Sequence, residues 1–335
     1  MTTSMCELNI DYAFSDADRD AFATALTSVI LSPYKFYEAF RRQAGTVVDA
    51  GGVPDDFLAF CRTVRERDRD EQPVVLIRNA PVDQDVPLFD PDDPVRSKYR
   101  LKTIFVAEAF LAVYAELTGV TGIGNIDIAY GDVFNDIYPK RSAWHTYSSK
   151  GLLSQPFHKD LGSQPIVPDH IHMLSMRCSP ENAVYTSFVR SVDMLRDLSD
   201  DERDLLREPV FFTPADPATS YDTGGVYPSH PILTGGSRLR FTERRTAGRT
   251  AEAEAVARKL DDQPHRYKKR VQLMPGDLAA VCNHLSLHAR EVDEVRDEEA
   301  LRTRWIIKSA NLDDTGPYRR HIVTGTDYLM RNEVA

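Results

Sequence analysis

The stretch QPFHKDLGSQP, residues Gln155 to Pro165, decides how this chain is read. It has no helical period, and it sets His158 and Asp160 two residues apart. In a strand, residues i and i+2 point to the same face, so both side chains can reach one point in space. A neutral imidazole and a carboxylate, joined by a second imidazole from a distant strand, make a two-histidine-one-carboxylate set. Such a set holds iron(II) and leaves coordination positions open. An HxD tripeptide alone arises often by chance, and read by itself His158 is a surface histidine in loop chemistry. Everything turns on a third partner further along.

That partner appears in LMPGDLAAVCNHLSLHAREV, residues 273 to 292. A strand ends in the turn Pro275-Gly276-Asp277, and a second apolar run delivers Asn283, His284 and His288. Shortly afterwards RTRWIIK, residues 302 to 308, places Arg304 at the opening of an apolar strand. There a guanidinium can grip a carboxylate through two parallel hydrogen bonds. Arg302 lies at even spacing from Arg304, so one strand face would carry both. An HxD, a distant His and then an Arg, in that order, is much harder to obtain by accident than the tripeptide.

Around this core the chain reads as one α+β unit over residues 1–335. The first 120 residues are mostly helical. SDADRDAFATALTSVIL opens on Ser15 as an N-cap with acids in the first turn, and DDFLAFCRTVRERD is a second helix. PVVLIRNAPV is a short buried strand, and LKTIFVAEAFLAVYAELTGV a third helix with Gly119 near its C-cap. From about Asn125 to Asn311 short β-rich runs alternate with Pro, Gly and Asp, the pattern of a sandwich or jelly roll. Two helices interrupt it: LSDDERDLLREP, with Ser199 as N-cap, and TAEAEAVARKLDDQ, from about Thr250.

Bulk properties narrow the classes. The 335 residues are 42% hydrophobic and 27% charged, with a formal net charge of −10. That balance argues against binding nucleic acid or an anionic membrane surface through the overall field. The four cysteines form no CxxC pair, so neither a disulfide framework nor a zinc knuckle is expected. No basic-then-apolar leader and no membrane-length apolar run is visible, and a cytoplasmic location is expected. Oligomeric state is not legible.

The motifs resemble the clavaminate synthase-like branch of the iron(II)/2-oxoglutarate-dependent dioxygenases, which includes arginine and asparagine hydroxylases of antibiotic pathways. The family's FHTE corresponds to FHKD (Phe157 to Asp160), and its RPDYLGLFCLR to VPDHIHMLSMR (Val167 to Arg177). GATT corresponds to AVYTS, PVLTG to PILTG (Pro231 to Gly235), LEPGELLVVDN to LMPGDLAAVCN, and RWLHR to RWIIK (Arg304 to Lys308). HAR recurs from His288 to Arg290. The resemblance implies a double-stranded β-helix (jelly-roll) core behind an N-terminal helical layer. It also implies iron(II), 2-oxoglutarate and O2 as cofactors, and hydroxylation of an unactivated carbon of a free amino acid or amino-acid-derived small molecule in secondary metabolism, with succinate and CO2 as co-products; desaturation or ring closure would use the same residues.

It further implies roles for particular residues. His158, Asp160 and His288 would hold iron, the family's spacing choosing His288 over His284. Arg304 would pair with the distal carboxylate of 2-oxoglutarate, helped by Thr186. Arg302 is the weaker candidate, since Arg304 directly precedes Trp305-Ile306-Ile307. Halogenating relatives lack the carboxylate, so Asp160 favours an oxidation such as hydroxylation. Lys308 stands where the amino-acid hydroxylases carry an Arg toward the substrate carboxylate. Glu243 lies near the acids that meet a cationic side chain, or is a solvated charge among arginines. Asn135, within Asp132 to Asp136, borders the pocket, and Ser148 to Ser154 has the composition of a lid. His170 and His172 read as core-edge or pocket histidines rather than ligands. A cupin-like sensor protein and a metal-assisted hydrolase are the alternatives, and neither needs a cosubstrate clamp.

Overall fold

The computed structural model describes residues 7–162, 164–214 and 227–332. The helical layer contains α1 (Asp16–Leu26), α2 (Tyr37–Asp49), α3 (Asp55–Glu66), α4 (Pro94–Leu101) and α5 (Val106–Thr118). Ser15 caps α1 by accepting from the Asp18 N–H at 3.1 Å, which satisfies one of the helix's orphan donors. Gly119 ends α5 at φ 77°, in the left-handed region, where a Cβ is costly. α5 is buried on nearly every side, because the other helices wrap it and it also packs on the sheet. Its run of Phe110, Leu111, Val113 and Tyr114 suits that position.

The strands are β1 (Tyr12–Ala13), β2 (Val74–Arg78), β3 (Thr121–Asn125), β4 (Phe134–Ile137), β5 (Gln155–His158), β6 (His170–Arg177), β7 (Ala183–Arg190) and β8 (Phe211–Phe212). They continue with β9 (Leu233–Gly235), β10 (Arg238–Leu239), β11 (Ala247–Gly248) and β12 (Lys269–Val271). β13 (Leu278–Cys282), β14 (Ser286–Glu294), β15 (Trp305–Leu312) and β16 (Leu329–Met330) complete the set. Four helices fall between them: α6 (Ser191–Met194), α7 (Asp200–Leu205), α8 (Ala251–Tyr267) and α9 (Glu298–Arg302).

The larger sheet runs β1-β2-β13-β6-β15-β3-β16, with β4 also paired to β15. The smaller runs β12-β7-β14-β5. Ile171, Met173, Ala279, Val281 and Ile306 of the first pack against Phe188 and Val271 of the second. The period of two then sorts each strand: even-numbered residues of β15 face the interior between the sheets, odd-numbered ones face the helical layer. Trp305 and Ile307 accordingly join the cluster around α5. No helix among the described residues is long and apolar enough to cross a membrane.

One expectation changes here. Arg302 is not on a strand with Arg304; it is the last residue of α9, which begins because the Asp297 side chain accepts from the Ala300 N–H at 2.9 Å. Five residues between Asp297 and Thr303 thus complete a helical turn, and the strand starts only at Trp305.

Candidate metal and cosubstrate site

β5 ends at His158, so strand alternation does not carry Asp160. Asn283 does. Its Oδ1 accepts from the Asp160 N–H at 3.0 Å, and its amide donates to the Asp160 and Pro168 carbonyls at 3.0 and 2.9 Å. All of this is buried, so the turn has one low-energy position. β14 pairs with β5 so that His288 lies opposite His158. The rings sit 4.4 Å apart, centroid to centroid.

His158 Nδ1 is 2.9 Å from the Pro156 carbonyl, which turns Nε2 toward Asp160 Oδ1 at 3.6 Å. His288 Nε2 is 3.8 Å from Asp160 Oδ2. One ligand atom from each residue lies within 4.8 Å of the others, the one such group among the described residues. Burial holds His288 down at about 3, so its imidazole is neutral. Burial alone would raise Asp160, but Lys308, His158 and His288 together hold it well below the usual carboxylate range. Two imidazoles and an ionised carboxylate converging on one point fit a divalent iron. Gln155 Nε2 also lies 3.3 Å from His158 Nε2.

Beside the trio is a site suited to an anion. Arg290 lies two residues after His288 and opposite Thr186 in the β14–β7 register, so all three face the interior. Arg304 is 7% exposed and no carboxylate pairs with it among the described residues. Burial lowers it, against the opposing pull of Cys178. Burial and the nearby Arg304 push Arg290 down to about 9. Buried cations without acids need a counter-anion, and a dicarboxylate such as 2-oxoglutarate meets that need.

Arg290 also anchors the loop over the interior. It donates to the carbonyls of Ser148 (2.9 Å), Ser149 (3.3 Å) and Leu153 (3.0 and 2.5 Å). Lys150, in the same loop, donates to the Asp136 carbonyl on the opposite sheet. Ser148 to Ser154 therefore straps one sheet to the other. In the sequence Arg290 falls in the HAR motif with no role of its own; its step of two from His288 is the available signal.

The other predicted residues fall as follows. Lys308 faces the interior and donates to Asp160 Oδ2 at 3.0 Å. Asn135 lies opposite it in the β4–β15 register, and its Oδ1 is buried with no hydrogen-bond partner. Arg302 pairs with Glu298 at 2.6 Å and lies 4.8 Å from the Trp144 ring. Glu243 is turned behind β5. Its carboxylate accepts from the Phe157 N–H at 2.9 Å and lies 2.8 Å from His265 Nε2. It is neither solvated nor free to meet a substrate; it pins the ligand-bearing strand to α8. Glu243→Ala leaves the buried Phe157 N–H unpaired, at a cost of about 1–3 kcal/mol. Thermal unfolding of that variant should fall by several degrees.

His284 Nδ1 is 2.6 Å from Lys159 Nζ, and its Nε2 is 3.2 Å from Asp169. It buttresses the turn from outside. His172 is buried on the outer face of β6, edge-on to Tyr114 at 5.0 Å, and burial holds it down at about 3. His170 pairs with Asp313 at 3.0 Å. Burial opposes its charge, yet Asp313 and Cys282 raise it from 6.5 to about 9. The stability from this pair is complete below pH 6.5 and is lost as pH rises through 9. A His170→Ala variant should therefore show a flatter stability profile between those values in denaturant titrations. A cavity of about 750 Å³ between α1 and the turn after β2 includes none of the trio in its wall.

Comparisons place this geometry among known proteins. No family model matches the chain. L-asparagine oxygenase of Streptomyces coelicolor is 26% identical over 257 residues, covering 74% of this chain and 73% of its own. The structure of an asparagine oxygenase with Fe(II), 2S,3S-3-hydroxyasparagine and succinate superposes with a TM-score of 0.81. It has 19% identity and covers 96% of this chain and 99% of its own. The non-heme iron oxygenase OrfP with Fe and alpha-ketoglutaric acid gives 0.78, at 21% identity, covering 95% and 98%. This chain has their fold. That likeness of fold extends over almost the whole chain, beyond residues 125–311 that carry the motifs.

Proposed function

We propose that the protein is an iron(II)/2-oxoglutarate-dependent oxygenase that hydroxylates an unactivated carbon of a free amino acid or amino-acid-derived small molecule. Succinate and CO2 are the co-products. The observation that carries this reading is the His158–Asp160–His288 trio lying beside Arg304, a buried guanidinium without a carboxylate partner among the described residues. A sensor protein that merely held a metal would have no use for that second feature.

His158, Asp160 and His288 are the residues that would hold iron(II), which with 2-oxoglutarate supplies the activation of O2. Arg304 would bind the distal carboxylate of 2-oxoglutarate through two parallel hydrogen bonds, with the Thr186 hydroxyl beside it. Arg290 holds the strap down, excluding water from the interior. Lys308 and Asn135 would orient the substrate, Lys308 through its carboxylate. Arg302 and Glu243 act by position: one steadies the base of the strap at Trp144, the other steadies β5. The jelly-roll description of the two sheets, a single catalytic domain over 1–335 and a cytoplasmic location belong to the same reading. Three of the cysteines, Cys61, Cys178 and Cys282, are free thiols, compatible with a reducing compartment.

The test is anaerobic. Apo-protein given iron(II) and 2-oxoglutarate should develop the weak visible charge-transfer band of a chelated cosubstrate. A folded protein that shows no band would remove the reading.

A further inference from the structure

We propose that the substrate is an amino acid with a carboxylate side chain, held by Lys308 at one end and by Lys150 of the strap at the other. This rests on the oxygenase reading and narrows it.

Charge is the first argument. Iron(II) and the 2-oxoglutarate dianion cancel, and Asp160 cancels Lys308, its partner at 3.0 Å. Arg304, Arg290 and Lys150 are left over. Arg290 is occupied by three main-chain carbonyls, which carry no net charge. The surplus of positive charge leaves the interior electropositive, and a wall of low dielectric magnifies that field. A substrate with two carboxylates and one ammonium relieves it; one with a guanidinium or second ammonium worsens it.

The acids near the mouth are the second argument, since a cationic side chain would need one. Asp136 spends its carboxylate on the far face of β4, 2.7 Å from Lys98 Nζ and 2.9 Å from the Trp305 indole N–H. Asp132 accepts from Tyr99 at 2.6 Å and lies 3.6 Å from Lys98. Glu243 is committed behind β5. None of these three is available to a guanidinium.

The third argument is the lysine itself. Lys150 lies within the influence of Lys308, and no carboxylate pairs with it among the described residues; its one hydrogen bond is to the Asp136 main chain. Burial lowers it to about 8, with Asp136 opposing and Lys308 adding to the shift. It remains largely protonated at pH 7. Opposite Lys308 in the β4–β15 register, and next in sequence to the Asp136 carbonyl that Lys150 meets, the Asn135 Oδ1 is a buried acceptor without a donor, which the α-ammonium of an amino acid supplies. Lys308, Asn135 and Lys150 thus match a carboxylate, an ammonium and a second carboxylate.

The experiment starts from the anaerobic iron(II)–2-oxoglutarate complex. L-aspartate, L-glutamate, L-asparagine and L-arginine are titrated in turn, with binding followed by calorimetry and by perturbation of the visible band. One of the two acidic amino acids should bind at least about tenfold tighter than the amide and arginine, a modest share of what a buried charge pair supplies. Lys150→Gln should erase that preference while leaving the band intact, and Lys150→Met should do the same. The inference is overturned if L-asparagine or L-arginine binds as well as the acids. Failure of both acids to bind, or a preference that survives in a folded Lys150 variant, would overturn it too. A missing band sinks the oxygenase reading and this inference together; a normal band with the wrong preference sinks this inference alone.

Discussion

His288→Ala should abolish the anaerobic charge-transfer band and reduce 2-oxoglutarate turnover to the level of free iron(II) in buffer. The side chain contributes one of three converging ligand atoms, and two ligands do not define a facial site. The fold should persist, because His288 sits at the interior edge of β14, where its Nδ1 has no hydrogen-bond partner to lose. Far-UV circular dichroism and a thermal midpoint near that of the parent would show this. Loss of a buried, neutral imidazole removes no charge from the folded state, so the effect should fall on metal binding rather than on stability. A variant that keeps both band and turnover would move the iron ligand elsewhere, with His284 the first alternative to examine.

Arg304→Leu should raise the KM for 2-oxoglutarate by about 10²–10³-fold, since truncating one partner of a buried charge pair commonly costs about 2–5 kcal/mol. Iron binding itself should be little affected, because Arg304 is not among the residues that surround Asp160. Arg302→Ala is the internal control. That residue is partly exposed and paired with Glu298 on α9, and surface pairs of this kind contribute about 0–1 kcal/mol. Its KM should change by less than about threefold. Equal effects from the two substitutions would return the cosubstrate contact to open choice between them.

Much of the site was legible because its ligands obey short rules. His158 and Asp160 stand two apart, and Arg304 immediately precedes an apolar strand. Ser15, Gly119 and Ser199 mark helix ends through local hydrogen bonds that need no tertiary partner. Local rules also misled in three places. Strand alternation would set Asp160 beside His158, but β5 ends at His158 and Asn283 positions the turn instead. Even spacing from Arg304 suggests a strand for Arg302, whereas the Asp297 cap draws residues 298–302 into a helix. Glu243 looked like a solvated or substrate-facing acid, and no neighbour in sequence reveals that Phe157, 86 residues earlier, takes its oxygen.

By itself, then, the sequence determined the chemistry on offer: which side chains can hold iron, which can grip a dicarboxylate, and the alternation of helices and short strands that carries them. Tertiary structure decided how those groups meet. Asn283 locks Asp160 across 123 positions, Arg290 reaches back more than 130 to hold the strap, and Lys150 is brought under the influence of Lys308. The physical reason is that sheet register and burial act between distant segments. Whether a carboxylate is free or spent depends on which donors the fold delivers to it, and that is a property of packing rather than of spacing along the chain.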